Sequence, residues 1–355
     1  MSLDLSTATL KAMPSAPPEA KESAIRRMTR RPEIGALAGT VLVFVFFSIV
    51  GGQNFLSVGG TSAWLNVASE LLIVAIPVGL LMIAGELDLS VGSVIAASSM
   101  TMAIVSGFFG LPMIVGFIAA LGIGALAGFI NGIITARTNV PSFVVTLGMN
   151  FALAGITLGL SRAITGTTSV PIDIDPTFKN LFGSLIGGQF EVAIIWALVV
   201  ALVIAWLLQM TPWGNWVFAI GGDKDSARAT GIPVPRVKIT LFMMSGLGAA
   251  FVGIIQTCMY NSAQTTNGQS FVFNSIIAVV IGGVLLTGGY GSVIGMVLGT
   301  LTFAIVNQGI YYTGWSSDWA SFILGALLLA AVLMNNTFRR LALSSGPKKP
   351  SGKKA

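Results

Sequence analysis

Apolar residues fall in long blocks along this chain, separated by short polar breaks, and the block lengths identify the elements. A helix needs about 20 mainly apolar residues to cross roughly 30 Å of hydrocarbon. On that measure the pattern predicts helices over 34–50, 67–84, 89–106, 112–134, 143–160, 192–208, 239–257, 273–286, 292–309 and 319–333. Several blocks are short and rich in glycine, as in a broken or re-entrant segment. The expected fold class is all-α, a polytopic transmembrane helical bundle of about ten spans; hydropathy alone also allows nine or eleven. Gly79, Gly116, Gly122, Gly124, Gly128 and Gly132 are small positions where helix backbones approach closely. The first block reads as a retained signal anchor, because its basic cluster is late and 51–62 leads straight into more apolar sequence.

Composition sharpens this picture. Of 355 residues, 54% are apolar and 9% charged, against about 25% charged in a soluble domain. Histidine is absent, and Cys258 is the single cysteine. Together these exclude His-based metal sites, imidazole acid–base chemistry, Cys-cluster metal sites and an internal disulfide.

The distribution of the net charge of +6 decides its meaning. With the N-terminus inside, the cytoplasmic segments hold Lys11, Lys21, Arg26, Arg27, Arg30, Arg31, Arg137, Lys224, Arg228, Arg236, Lys238, Arg339, Arg340, Lys348, Lys349, Lys353 and Lys354. Only Arg162 and Lys179 fall outside, beside Asp173, Asp175 and Glu191. This is the positive-inside bias of a bacterial inner membrane protein with both termini cytoplasmic. The basic tails are thus read as orientation signals, with no nucleic-acid partner expected. Three parts follow: a basic tail over 1–33, a transmembrane domain over 34–335 with a cytoplasmic segment at 211–238, and a basic tail over 336–355.

Polar residues inside the apolar blocks are the functional candidates. Glu86, Asp88 and Ser90 interrupt two helices in Gly85-Glu-Leu-Asp-Leu-Ser-Val-Gly-Ser93. Asp88 or Ser90 is placed to cap the next helix, and Glu86 to serve a pathway or a conformational switch. Glu70 is placed to pair with another helix or to lie at the outer interface. Asn131, Asn150, Gln256, Asn307 and Gln308 are amides in hydrocarbon that need partners, either as interhelical ties or as pathway lining. Amides suit a neutral, hydroxyl-rich solute better than an ion. In the central segment, 223–230 predicts a short polar helix with Asp225 near its start and Gly231 as its stop, read as a docking element or a plain connection. No P-loop, nucleophile elbow or metal-ligand spacing occurs. No catalytic, cofactor or metal residue is therefore expected, and ATP hydrolysis, where used, must come from another subunit.

Five ordered motifs carry a family resemblance: Gly85 to Ser93; Asn139-Val-Pro-Ser-Phe-Val-Val-Thr-Leu-Gly148; Ala219-Ile-Gly-Gly-Asp with Ala227-Arg-Ala-Thr-Gly-Ile232; Ser262-Ala-Gln264; and Ile276-Ile-Ala-Val-Val-Ile-Gly-Gly283 with Gly288-Gly-Tyr-Gly291. Over about 35–335 the chain resembles permease subunits of bacterial ATP-binding-cassette importers of the ribose, xylose and galactose type, within the wider branched-chain amino acid permease group. The resemblance implies a homodimer of permease subunits, a cytoplasmic ATP-binding-cassette ATPase, a periplasmic sugar-binding protein and a small neutral sugar or polyol as solute. It implies that Gly221, Gly222, Asp223, Asp225, Arg228 and Gly231 couple the permease to the ATPase. Pathway or broken-helix residues would come from Glu86, Asp88, Ser90, Asn131, Asn150, Gln256, Gln264 and Asn274, with 262–274 facing the periplasm. The chain departs from ribose-type members at Glu86, at Val272 and Asn274 where they carry an acidic pair, and at Gly214-Asn215 where they carry Gly-Arg. Another pentose, a hexose or a polyol such as inositol or erythritol stays open. So do an amino-acid permease and, further off, an ion-coupled transporter or a scaffold.

Overall fold

The computed structural model describes residues 32–344. The N-terminal basic cluster and the last lysines lie outside them. Fourteen α-helices, a π-helix, a 3-10 turn at Ile310–Tyr312 and four short strands form the regular structure of the described residues. In order, α1 is Pro32–Val50, α2 Gly52–Leu56, α3 Val58–Ile83 and α4 Val91–Met102, which runs on as a π-helix over Ala103–Phe108. Then come α5 Met113–Arg137, α6 Ser142–Thr165, β1 Ser169–Pro171, α7 Pro176–Phe182, β2 Leu185–Ile186, β3 Phe190–Glu191 and α8 Ala193–Met210. The central segment holds α9 Pro212–Gly222 and α10 Lys224–Ala229. The chain closes with α11 Val234–Tyr260, β4 Ser262–Gln264, α12 Phe271–Ile281, α13 Val293–Gly309 and α14 Trp319–Ser344.

Eight of these helical segments are long and apolar enough to cross a membrane, and two shorter apolar helices, Phe271–Ile281 and Trp319–Leu333, accompany them. The polytopic helical bundle is as expected; two small antiparallel pairs, β1 with β4 and β2 with β3, are added to it. Helix α3 starts nine residues earlier than the apolar block, because the Ser57 hydroxyl accepts from Gly60 N–H at 3.0 Å and caps it. The block at 273–286 yields only the eleven residues of α12, about 16 Å of helix. It stops at Gly282 and Gly283, and Gly283 has φ +90°. Before α12, the 265–270 loop reaches the bundle interior, where a Cβ on Gly268 would meet Gly92 O at 2.8 Å.

Helices α3, α4 and α11 form the centre, with Ile73, Ile76, Ile95, Leu241, Val252 and Ile254 fully buried. By contrast α6 and α8 leave most of their apolar surface open, Phe151 and Leu202 among it. Small residues set the α5–α11 contact. A Cβ on Gly124 would lie 2.3 Å from Gly246 O, on Gly128 2.3 Å from Phe242 O, and on Gly132 2.7 Å from the Cα of Ile239. Gly79 and Gly116 are also in close contact, whereas Gly122 faces open space.

Candidate coupling junction and pathway residues

The break between α3 and α4 is held by several hydrogen bonds from other elements. Backbone groups leaving a helix inside a membrane protein must find partners within the protein. Here Gly85, at φ +79°, turns the chain, and Glu86 N–H donates back to Leu81 O at 2.9 Å. Next, Leu87 N–H donates to Ser142 Oγ and Leu89 N–H to Thr146 Oγ1, each at 3.1 Å. Two hydroxyls one turn apart on α6 thus replace the missing backbone ladder. This is the physical content of the Asn139 to Gly148 motif.

Asp88 closes the break. Its Oδ1 accepts from Ser90 N–H at 2.9 Å and from Ser90 Oγ at 2.6 Å, and its Oδ2 accepts from Ser245 Oγ at 2.7 Å. Asn131 Nδ2 donates to Ser90 Oγ at 2.9 Å. All four side chains are buried. The expected cap is not formed: Ser90 occupies the N-cap position of α4 without a side-chain cap bond. Asp88 bonds Ser90 itself because the carboxylate is held by α11 as well as by the turn.

Glu86 points the other way and forms an ion pair with Lys238 Nζ of α11. Their side chains are only 10% and 5% exposed, which places the pair with buried rather than surface bridges. Beside it, Ile83 O at the end of α3 accepts from Gly289 N–H at 2.7 Å. A Cβ on Gly221, at the end of α9, would lie 1.7 Å from that same Ile83 O and 2.5 Å from Gly289 N. The central segment therefore seats directly on the break. Its α10 matches expectation: Asp223 Oδ1 accepts from Ser226 N–H at 2.6 Å, and Gly231 takes φ +87° after the last turn. The Ser226 backbone and side chain hold the Asp223 carboxyl below its ordinary value.

A family model described as the branched-chain amino acid transport system permease component matches residues 60–332. The chain belongs to this permease family. It is 30% identical to the fructose import permease protein FrcC of Rhizobium meliloti, over 85% of this chain and 84% of the relative. It is 31% identical to the ribose import permease protein RbsC of Escherichia coli K12, over 83% and 92%. The galactose/methyl galactoside import permease protein MglC of Haemophilus influenzae is 30% identical, over 85% and 93%. No solved structure matches the chain.

The remaining candidates in this permease do not join the junction. Gln256 donates Nε2 to Glu70 Oε2 at 2.8 Å, linking α11 to α3 well away from Glu86. Asn150 lies on α6 with its Oδ1 buried and unpartnered. Asn274 is half-buried on α12, and Gln264 is exposed in β4, opposite Ser169. Asn307 Oδ1 accepts from Gln308 Nε2 at 2.9 Å, a bond between sequence neighbours. Sequence reasoning missed Lys238, Ser245, Ser142 and Thr146 as functional neighbours. The signal for the last two was their i, i+4 spacing inside a matched motif. Among the described residues, no group of three or more His, Cys, Asp or Glu is placed to hold a metal.

Proposed function

We propose that this permease is the membrane-spanning subunit of an ATP-driven, binding-protein-dependent importer of a monosaccharide or polyol. It would work as a homodimer in the bacterial inner membrane, with ten spans and both termini cytoplasmic. A separate ATPase supplies hydrolysis, and a periplasmic protein delivers the solute. The observation that carries this reading is the junction: α9 and α10 present a short capped helix at the surface, while Gly221 rests on the end of α3 and Lys238 grips Glu86. Movement imposed on α10 has a direct route to the broken helix. The ribose, fructose and galactose relatives favour a sugar. Neutral pathway amides such as Asn150 and Asn274 suit it.

The test is reconstitution with a partner ATPase and a sugar-binding protein from the same organism. ATP-dependent uptake of a labelled sugar that the binding protein captures is expected. Uptake that persists without the ATPase, driven by an ion gradient, overturns the reading. The family model's description supports one alternative, an amino-acid solute. The ligand that the binding protein holds separates the two.

A further inference from the structure

The polar groups that close the break between α3 and α4 hold more acceptors than donors. Asp88 and Ser90 of the break, Asn131 of α5 and Ser245 of α11 are each at most 1% exposed. Their hydrogens can be assigned one by one. The Ser90 hydroxyl gives its only proton to Asp88 Oδ1 at 2.6 Å. It can therefore only accept from Asn131, so the amide nitrogen must face it, at 2.9 Å. The Ser245 hydroxyl proton goes to Asp88 Oδ2 at 2.7 Å. Asn131 Oδ1, on the amide thus fixed, is buried and has no partner. One turn on along the same face of α5, Thr135 is 5% exposed, and its hydroxyl has no partner either.

Free lone pairs therefore remain on Asp88 Oδ2, Ser245 Oγ, Asn131 Oδ1 and Thr135 Oγ1, around one negative charge. Among the described residues the only ion pair is Lys238 with Glu86, so no lysine or arginine neutralises Asp88. The start of α4 lends about half a positive charge, and the remainder is buried without compensation, which is costly. A water molecule would occupy the lone pairs but bring no charge. We propose that Asp88, Ser245, Asn131 and Thr135 bind a sodium ion at the break. All four supply hard oxygens, which suit a hard cation. One carboxylate among neutral oxygens matches a single charge, whereas a divalent ion would leave a buried positive excess. Neighbouring oxygens only 2.6 and 2.7 Å apart make a compact shell, better suited to sodium than to the larger potassium. The bound ion ties the interrupted helix to α5 and α11. The inference does not depend on the importer reading.

The test uses the full-length purified protein in neutral detergent, without ATPase or sugar. Sodium chloride replaces choline chloride at constant ionic strength while thermal stability and radioactive-sodium binding are read. A saturable rise in Tm with sodium is expected, and a smaller one with potassium. Asp88→Asn keeps the size of the side chain, removes its charge and should abolish the sodium response. Asn131→Ala and Thr135→Val should each raise the half-saturating sodium concentration about 10-fold, the low end of what lost support for a metal costs. Thr135→Val breaks no hydrogen bond of the protein, so in choline it should be at least as stable as wild type. It keeps the test decisive where Asp88→Asn fails to fold. A Tm equal in sodium and choline, or a sodium response undiminished in Thr135→Val, overturns the proposal. So does a stability gain on acidification in choline to which sodium adds nothing, because Asp88 would then hold a proton.

Discussion

Separating Glu86 from Lys238 should cost far more than breaking a surface bridge. Exposed pairs contribute about 0–1 kcal/mol, whereas removing one partner of a buried pair costs about 3–5 kcal/mol, because the other charge is left uncompensated. With side chains 10% and 5% exposed, this pair belongs to the second class. Lys238→Met should therefore destabilise by about 3–5 kcal/mol. Glu86→Gln keeps an acceptor for Lys238 and should cost somewhat less. The double variant leaves no buried charge, only an amide that lacks its donor, which costs about 1–3 kcal/mol. With about 4 and 3 kcal/mol for the single variants and about 2 for the double, an interaction energy of about 5 kcal/mol should then appear in the cycle, a factor of several thousand in equilibrium.

The assay is unfolding of all four purified proteins in mixed micelles, followed by uptake with the ATPase present. Glu86→Gln should still bind the ATPase, since α10 is intact, yet transport more slowly. Single variants within about 0.5 kcal/mol of wild type and a strictly additive double variant would refute the argument. The pair would then be solvated, and its position between the coupling segment and the break would mean little mechanically.

Three further outcomes follow from the same geometry. Gly221→Ala should abolish assembly or transport, because its Cβ meets backbone at 1.7 Å, while Gly222→Ala, with nothing within 4 Å, should behave as wild type in matched expression and uptake assays. Asp223→Ala should fray α10 and reduce ATPase co-purification, with Asp223→Asn retaining most of it. The Asp223 carboxyl is held below its ordinary value when folded, so its cap is fully present above the unfolded carboxylate range. It is lost only as pH falls through the folded value, and co-purification should stay flat across neutral pH. Ser245→Ala removes the donor to Asp88 Oδ2 and should destabilise by about 1.5–3 kcal/mol in the unfolding assay.

What the sequence made legible was whatever depends on local composition. Apolar blocks located the helices, and the polar run 223–230 with its Gly231 stop located α10, though Asp223 rather than Asp225 caps it. Hydropathy failed where burial and helicity part company. Val284 is apolar and fully buried but lies beyond α12, past the Gly282 stop. Gly59, Gly60 and Asn66 are helical in α3 despite their polarity, because the Ser57 cap and packing under the β2–β3 hairpin hold them. Lys238 reads from the sequence as one of the cytoplasmic basic residues, because the apolar block opens one residue later. Its partner is 152 residues away, and only the fold brings the two together. Single hydroxyls such as Ser245 carry no pattern at all.

The separated motifs find their common explanation at the break. Ser142 and Thr146 satisfy its backbone, Asp88 and Ser90 bind it to α11 and α5, Gly221 packs against its preceding carbonyl, and Gly289 donates to that carbonyl. Five stretches distant in sequence thus converge on the break. A helix that merely ended would need one turn and one cap. An end held by α6, α9, α11 and the 288–289 turn at once can shift only if those elements shift with it. Of these, α9 leads directly into the exposed, capped helix α10. On the proposed reading, work applied there would reach the interrupted helix through the Gly221 contact with the end of α3. That is the arrangement a transporter with an external motor requires.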